Sequence, residues 1–288
     1  MPAVDVGGVT LYYEEAGKGR PVVFVHGIPT DYRAWGAQMG PFSKEFRAVS
    51  LSRRLASPNK NGPAGGPTAT VQENAADLKA FVEKVCEGPV DLVGHSYGGF
   101  VCALLAANHG DLVRSLVLVE PAVSTLLVAD QNSALQVLGL LLKSPSVALS
   151  ARRFQSGSLA PSLAALKEGH LAEAVELNVD GVQDLRGSFA KLPEETRKMM
   201  LDNAGTIAEL GVPFPRFTSV DAGKIRCRTL VVNGGSSALW LRRIGALLGK
   251  SVPGAAVTEL AGARHFPHME KSEEFNEKVL SFLRRDGR

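Results

Sequence analysis

The sequence predicts a doubly wound α/β fold, a mostly parallel sheet flanked by helices and interrupted once by an all-helical insertion. Three observations predict it. Short β-branched apolar runs such as VVFV and LVLV lack polar–apolar alternation, as parallel strands covered on both faces require. Helical patterns separate many of these runs, the rhythm of a doubly wound sheet. One long stretch, residues 124–222, carries helical patterns and no convincing strand.

In chain order, strands are expected at 9–16 (VTLYYEEA), 21–27 (PVVFVHG), 46–52 (FRAVSLS), 90–96 (VDLVGHS), 113–120 (VRSLVLVE), 228–234 (RTLVVNG) and 255–262 (AAVTELAG). The 53–69 segment is rich in Gly, Pro, Asn and Lys and is expected as an exposed loop. Residues 70–85 have apolar positions near helical spacing, opened by Thr70 and Glu73 as a capping box. A helix over 272–285 closes the pattern. The strand-free stretch divides the chain into a core of residues 1–123 and 223–288 and a helical cap of 124–222.

Composition limits the function classes. With 288 residues, 45% of them hydrophobic, the chain has the apolar mass for a full-sized core. The net charge of +3 is spread along the chain, without the clustered cations of a nucleic-acid binder. No secretory signal is visible at the N-terminus, and no apolar run approaches the ~18 residues of a membrane span. Three isolated cysteines, Cys86, Cys102 and Cys227, fit neither a disulfide framework nor a metal site. The expectation is a cytoplasmic protein, monomer or homodimer, with no membrane or nucleic-acid partner. Neither G-x-G-x-x-G nor a P-loop occurs, so no cofactor and no metal are expected.

The sharpest local signal is Gly94-His95-Ser96-Tyr97-Gly98, a G-x-S-x-G between an apolar strand and a helical stretch. A sharp strand-to-helix turn there would present the Ser96 hydroxyl at the C-terminal edge of the sheet. Upstream, His26-Gly27-Ile28-Pro29 directly follows a buried strand, and near the end Gly262-Ala263-Arg264-His265 follows the last one. In this order, the three segments resemble the α/β-hydrolase superfamily over essentially the whole chain, with the cap least defined.

The resemblance implies an α/β-hydrolase fold and a set of roles. Ser96 would be the nucleophile and His265 the general base. The backbone N–H groups of Ile28 and Tyr97 would form the oxyanion hole, where losing one donor typically costs ~10²–10³ in rate. His26 would be structural, bonding within its loop. His268, three residues on, competes for the base role but fits the pattern less well and would lie behind the base or exposed, and His95 would have a packing or pocket-rim role. A serine at the elbow also sets the chain apart from dehalogenases and epoxide hydrolases of the superfamily, which use Asp there.

The third triad member departs from the common pattern. After the penultimate core strand the superfamily usually has G-x-x-D, and here that position is Ser237. Three explanations stand: Glu120, at the end of the preceding core strand and before Pro121, supplies the carboxylate; a Ser–His dyad works slowly; or catalysis has been lost. The first is favoured. Asp221 precedes its strand, at the wrong edge of the sheet.

Among substrate-binding candidates, Thr30 and Asp31 could line the pocket floor or hold the oxyanion loop. In the cap, Leu138, Leu141, Leu142, Phe154, Phe189, Met199 and Met200 could line an apolar cavity. The implied function is hydrolysis of a carboxylic ester or lactone of a small, largely hydrophobic substrate through an acyl-enzyme. The alternatives are C–C bond hydrolysis on the same triad, a catalytically slow small-molecule sensor, and a cofactor-free perhydrolase or haloperoxidase.

Overall fold

A computed structural model describes residues 1–59, 69–130 and 133–285. Eight strands form one sheet: β1 (Ala3–Asp5), β2 (Thr10–Ala16), β3 (Pro21–Val25), β4 (Arg47–Leu51), β5 (Val90–His95), β6 (Val113–Val119), β7 (Arg228–Gly234) and β8 (Ala256–Leu260). Their order is β1-β2-β4-β3-β5-β6-β7-β8. Only the β1–β2 and β2–β4 pairs are antiparallel. All seven expected strands are present. The eighth, β1, spans three residues with exposed ends, too short to leave a periodic signal.

The apolar runs lie where both faces are covered. Every residue of β5 is buried, as are all but the first of β3. In β6 only Arg114 is exposed. The capping box is formed: Glu73 N–H donates to Thr70 Oγ1 at 3.1 Å, and Thr70 N–H donates to Glu73 Oε2 at 2.8 Å. It opens helix Val71–Phe81, which packs beside helix Ser96–Asn108. Helix Ser272–Arg284 packs beside helix Gly36–Ser43. The segments that carry Gly27, Ser96, Glu120 and His265 all emerge at one edge, because parallel pairing keeps Val25 beside Gly94, His95 beside Val119 and Gly234 beside Leu260.

The expected exposed loop at 53–69 needs correction in its described part, and residues 60–68 lie outside the described residues. Arg53 is 2% exposed and Ala56 0%. Hydrogen bonds explain this: Asn59 Nδ2 donates to the Ser52 and Arg53 carbonyls at 2.9 and 2.7 Å, and Ser57 N–H donates to Asn203 Oδ1 at 2.8 Å. A polar, Pro- and Asn-containing loop is thus folded inward by its own turn chemistry.

Between β6 and β7 the described residues form helices and no strand. Their apolar residues divide into two groups. Phe189, Met199 and Met200 are buried in the main hydrophobic cluster. Helix Ala134–Lys143 buries none of its residues, and Leu138, Leu141 and Leu142 are 49%, 48% and 75% exposed. The expectation that these leucines line an apolar cavity is therefore corrected. Periodicity identifies an amphipathic helix but not which neighbour covers its apolar face.

Candidate active site

The turn after β5 is tightly constrained. Ser96 has φ of 51°, in the left-handed region that non-glycine residues avoid. Neighbouring glycines let the surrounding backbone close in. A Cβ on Gly98 would lie 2.4 Å from the Val25 and His26 carbonyl oxygens, so helix Ser96–Asn108 rests directly on the end of β3. A Cβ on Gly27 would lie 2.9 Å from Ser96 Cβ, so the loop after β3 presses against the elbow itself. Ser96, at the helix N-terminus, is 8% exposed.

His265, in the loop after β8, directs Nε2 at Ser96 Oγ across 2.9 Å. Its Nδ1 lies 3.4 Å from Glu120 Oε2. That is longer than the usual 2.7–3.2 Å of an N–H···O bond. Glu120 follows β6, is fully buried and has φ of 46°. This backbone turn aims its side chain across the sheet edge. Its Oε1 accepts the Gly234 N–H at 2.7 Å. The end of β7, which leads into the loop where the superfamily usually carries its acid, thus donates an amide to Glu120. Ser237 is buried, and its hydroxyl faces Glu120 without completing a hydrogen bond. A Cβ on Gly234 would lie 2.2 Å from the Arg264 carbonyl oxygen, so the loops after β7 and β8 touch backbone to backbone.

Burial sets the electrostatics. It raises the Glu120 carboxyl to about 8, partly countered by the Gly234 N–H and the Ser237 hydroxyl. It lowers the His265 imidazole to about 3. His95 and His268 are likewise held well below the usual histidine range by burial. His95 Nε2–H donates to the His265 carbonyl at 2.8 Å, so His95 holds the loop that carries His265. The His268 ring lies tilted between Trp35 and His95, with centroids 4.4 and 4.5 Å away. At 0% exposure it is the buried alternative of the two expected for it.

The two amides expected to meet the oxyanion are available. Among the described residues, the Ile28 N–H has no hydrogen-bond partner. Tyr97 is the second residue of helix Ser96–Asn108, where amides have no partner within the helix. His26 Nδ1–H donates to the Gly27 carbonyl at 2.8 Å and its Nε2 accepts the Arg53 N–H at 2.9 Å, a loop-holding geometry. Asp221 caps the helix before β7 by accepting the Thr218 N–H at 2.9 Å.

The substrate-contact candidates fare differently. Thr30 Oγ1 donates to the Gly27 carbonyl at 3.2 Å, which ties down the oxyanion loop. Asp31 is buried with both oxygens engaged, by the Arg33 amide and guanidinium and by Asn203 Nδ2. Leu138 is half exposed and Met199 is buried in the core. Phe154 stacks on Trp240 at 5.1 Å and borders a cavity of about 720 Å³. The walls of that cavity mix Phe154, Leu177, Leu185 and Trp240 with the charged side chains of Glu173, Glu176, Asp180, Asp184, Arg153 and Arg186. Neither Ser96 nor His265 borders it.

Sequence reasoning missed the residues that hold the loop carrying His265. Gln183 Oε1 accepts the His265 N–H at 2.8 Å, and Glu270 accepts the Arg264 and Phe266 amides at 2.7 and 3.1 Å. Gln183 sits at the C-terminus of helix Leu171–Val182, and nothing in its sequence neighbourhood marks a partner 82 residues away. Among the described residues, no cluster of three His, Cys, Asp or Glu side chains could hold a metal ion. No helix among them is long and apolar enough to cross a membrane.

Comparison with known proteins places this arrangement in a family. The chain matches the alpha/beta hydrolase family over residues 22–278. It is 27% identical over 288 residues to pyrrolizixenacetamide deacetylase of Xenorhabdus hominickii, covering 98% of each chain. It is 26% identical over 276 residues to pimeloyl-(acyl-carrier protein) methyl ester esterase of Chromobacterium violaceum, covering 96% of this chain and 98% of the relative. The match to (E)-2-((N-methylformamido)methylene)succinate hydrolase of Acinetobacter baylyi, 30% identical, covers 38% of this chain and only 41% of that protein. Among solved structures, bromoperoxidase from Bacillus anthracis superposes with a TM-score of 0.73 at 22% identity over 99% of both chains. With a family match spanning nearly the whole sequence, the chain belongs to the alpha/beta hydrolase family and is a hydrolase of that fold.

Proposed function

We propose that the protein hydrolyses a carboxylic ester or lactone through an acyl-enzyme formed on Ser96. The observation that carries the reading is the alignment of Ser96 Oγ, His265 Nε2 and Nδ1, and Glu120 Oε2 at 2.9 and 3.4 Å. Two relatives matched over nearly their full length are a deacetylase and a methyl ester esterase, which supports cleavage at an acyl carbon. The helices between β6 and β7 act in this reading as a cap over the sheet edge.

Ser96 Oγ attacks the acyl carbon while His265 Nε2 takes its proton. The carbonyl oxygen becomes an oxyanion held by the Ile28 and Tyr97 N–H groups. As the tetrahedral centre collapses, the alkoxide leaves with the proton from His265 and the acyl group remains on Ser96. Water then attacks, giving its proton to the same nitrogen; the bond from the acyl carbon to Oγ breaks, His265 returns the proton to Ser96 Oγ, and the acid product leaves. Glu120 accepts the Nδ1–H, which keeps Nε2 free and stabilises the imidazolium. For a lactone the leaving alkoxide stays tethered to the acyl chain.

Intact-mass spectrometry after brief exposure to a fluorophosphonate tests this on wild type and Ser96→Ala. Rapid single labelling that disappears in the variant is expected. Absent labelling of the wild type would overturn the reading and leave the pocket as a small-molecule sensor.

A further inference from the structure

The loop after β4 places a fully buried cation behind the oxyanion loop. Arg53 Nη1 meets Glu209 Oε2 at 2.6 Å, with the side chains 2% and 0% exposed. Its Nε donates to the His26 carbonyl at 3.2 Å, its backbone N–H donates to His26 Nε2 at 2.9 Å, and Nη2 approaches the Gly27 carbonyl at 3.5 Å. The guanidinium carbon lies 4.6 Å from the centroid of the Tyr97 ring. Asn74 Oδ1 accepts from Nη1 at 3.1 Å, completing the fork.

The chemistry of one peptide makes this arrangement meaningful. The Gly27 carbonyl and the Ile28 N–H belong to the same planar unit. Its oxygen receives His26 Nδ1–H, Thr30 Oγ1–H and the Arg53 guanidinium. Its N–H receives no partner among the described residues. Donors on the oxygen fix which way the N–H points and polarise it further, since hydrogen bonds in series strengthen one another. Because the Arg53 amide occupies His26 Nε2, the His26 proton is committed to Nδ1 and so to the same carbonyl.

We propose that Arg53 is a positioning residue for the oxyanion hole, holding the Gly27–Ile28 peptide from its carbonyl side and Tyr97 from its ring. Glu209, carried by the segment Ala204–Gly211 between β6 and β7, holds the guanidinium in place. The helical insertion thereby sets the geometry of an amide in the loop after β3. This rests on the acyl-enzyme reading above, because Ile28 and Tyr97 matter only where an oxyanion forms.

The test compares wild type with Arg53→Lys, Glu209→Gln and the near-isosteric Thr30→Val. Each is measured with a p-nitrophenyl ester, and rates are normalised to the fraction of Ser96 that a fluorophosphonate labels. Two ligands separate positioning from general damage: a trifluoromethyl ketone, whose hemiketal oxyanion would enter the hole, and the methyl ketone of the same chain, which forms none. For Arg53→Lys, kcat is expected to fall about 10–10²-fold with KM changed less than about threefold. The trifluoromethyl ketone should weaken by the same factor as kcat and the methyl ketone should not change. Thr30→Val should move the same two readouts by a smaller factor, and Glu209→Gln should follow Arg53→Lys in direction. Unchanged kcat per labelled serine in Arg53→Lys would overturn the proposal, as would equal weakening of both ketones. An unchanged Glu209→Gln beside an impaired Arg53→Lys would overturn the part assigned to the insertion. Failure of the wild type to label would instead count against the acyl-enzyme itself, so the two failures are distinct.

Discussion

Helix Ser96–Asn108 and helix Ala134–Lys143 are both short, apolar and interrupted by glycine, yet they are built on opposite terms. The first buries ten of its residues, from Ser96 through Ala106, and the second buries none. In the first, Gly98 is where two backbones meet; in the second, a Cβ on Gly139 would touch nothing within 4 Å. The difference teaches where precision resides. The elbow cannot drift, because strand ends and glycine contacts surround it. The outer helix buries none of its residues, so its sequence is free to change.

The largest effect should come from the carboxylate that completes the constrained side. Glu120→Gln keeps size and burial but places an NH₂ or a neutral oxygen opposite His265 Nδ1. Facing the NH₂, the ring keeps its proton on Nε2 and cannot accept one from Ser96. A fall in kcat of about 10²–10⁴ is expected by steady-state assay. The pH profile sharpens this. Burial raises Glu120 to about 8 and lowers His265 to about 3. The working form has Glu120 ionised and His265 neutral, so kcat/KM should rise with pH through a limb near 8. Protonation of His265 does not intervene until far more acidic conditions. In Glu120→Gln that alkaline limb should vanish. A wild-type profile already flat from pH 6 to 9 would place the Glu120 ionisation below that range, and an unchanged kcat in Glu120→Gln would remove Glu120 from the triad.

Next comes the glycine contact. Gly98→Ala would force a methyl against two backbone carbonyls, which no rotamer change can relieve. Overpacking of this kind costs about 1–3 kcal/mol. The helix must back away from β3, which separates the Tyr97 amide from Ile28, so the labelling rate of Ser96 should fall with stability. Denaturant unfolding and fluorophosphonate kinetics on the same sample check both.

How much of this was legible in the sequence follows the same division. The strands, the elbow, His265 and the placement of Glu120 were readable because each depends on nearby residues: an apolar run, a glycine pair, a residue count from a strand end. Glu120 also needed the absence of an acid at Ser237 to draw attention to it. The inward fold of residues 53–59 was not readable, since Arg53 and Asn59 look like surface residues until their partners are in place. Neither was the fate of the leucines after Ser133. An amphipathic pattern specifies a face and leaves its neighbour undetermined. Gln183 and Glu209 reach their partners across 82 and 156 residues, beyond any local periodicity.

Two leucines break the comparison more gently. Leu118, in β6, is 0% exposed and Leu142 is 75% exposed. Leu118→Ala should cost about 2–5 kcal/mol, the usual range for a truncated core leucine. Leu142→Ser should stay within about 0.5 kcal/mol of wild type in the same denaturant titration, as surface changes do. A large loss in Leu142→Ser would mean that helix Ala134–Lys143 packs closed in solution.

The smallest effect should have the opposite sign. Gly139 lies inside helix Ala134–Lys143, away from its ends, with open space where a side chain would stand. A glycine there gives up more backbone entropy on folding than any other residue. Gly139→Ala should therefore stabilise the helix by about 0.5–1 kcal/mol. Because this helix buries no residue, the gain belongs first to its own amides. Hydrogen exchange across residues 134–143 should slow by roughly two- to fivefold, as that free energy implies if opening is local. Ser96 labelling should not change. Faster exchange, or a slower labelling rate, would mean that Gly139 serves a close approach like that of Gly98, and the contrast between the two helices would fail at its outer member.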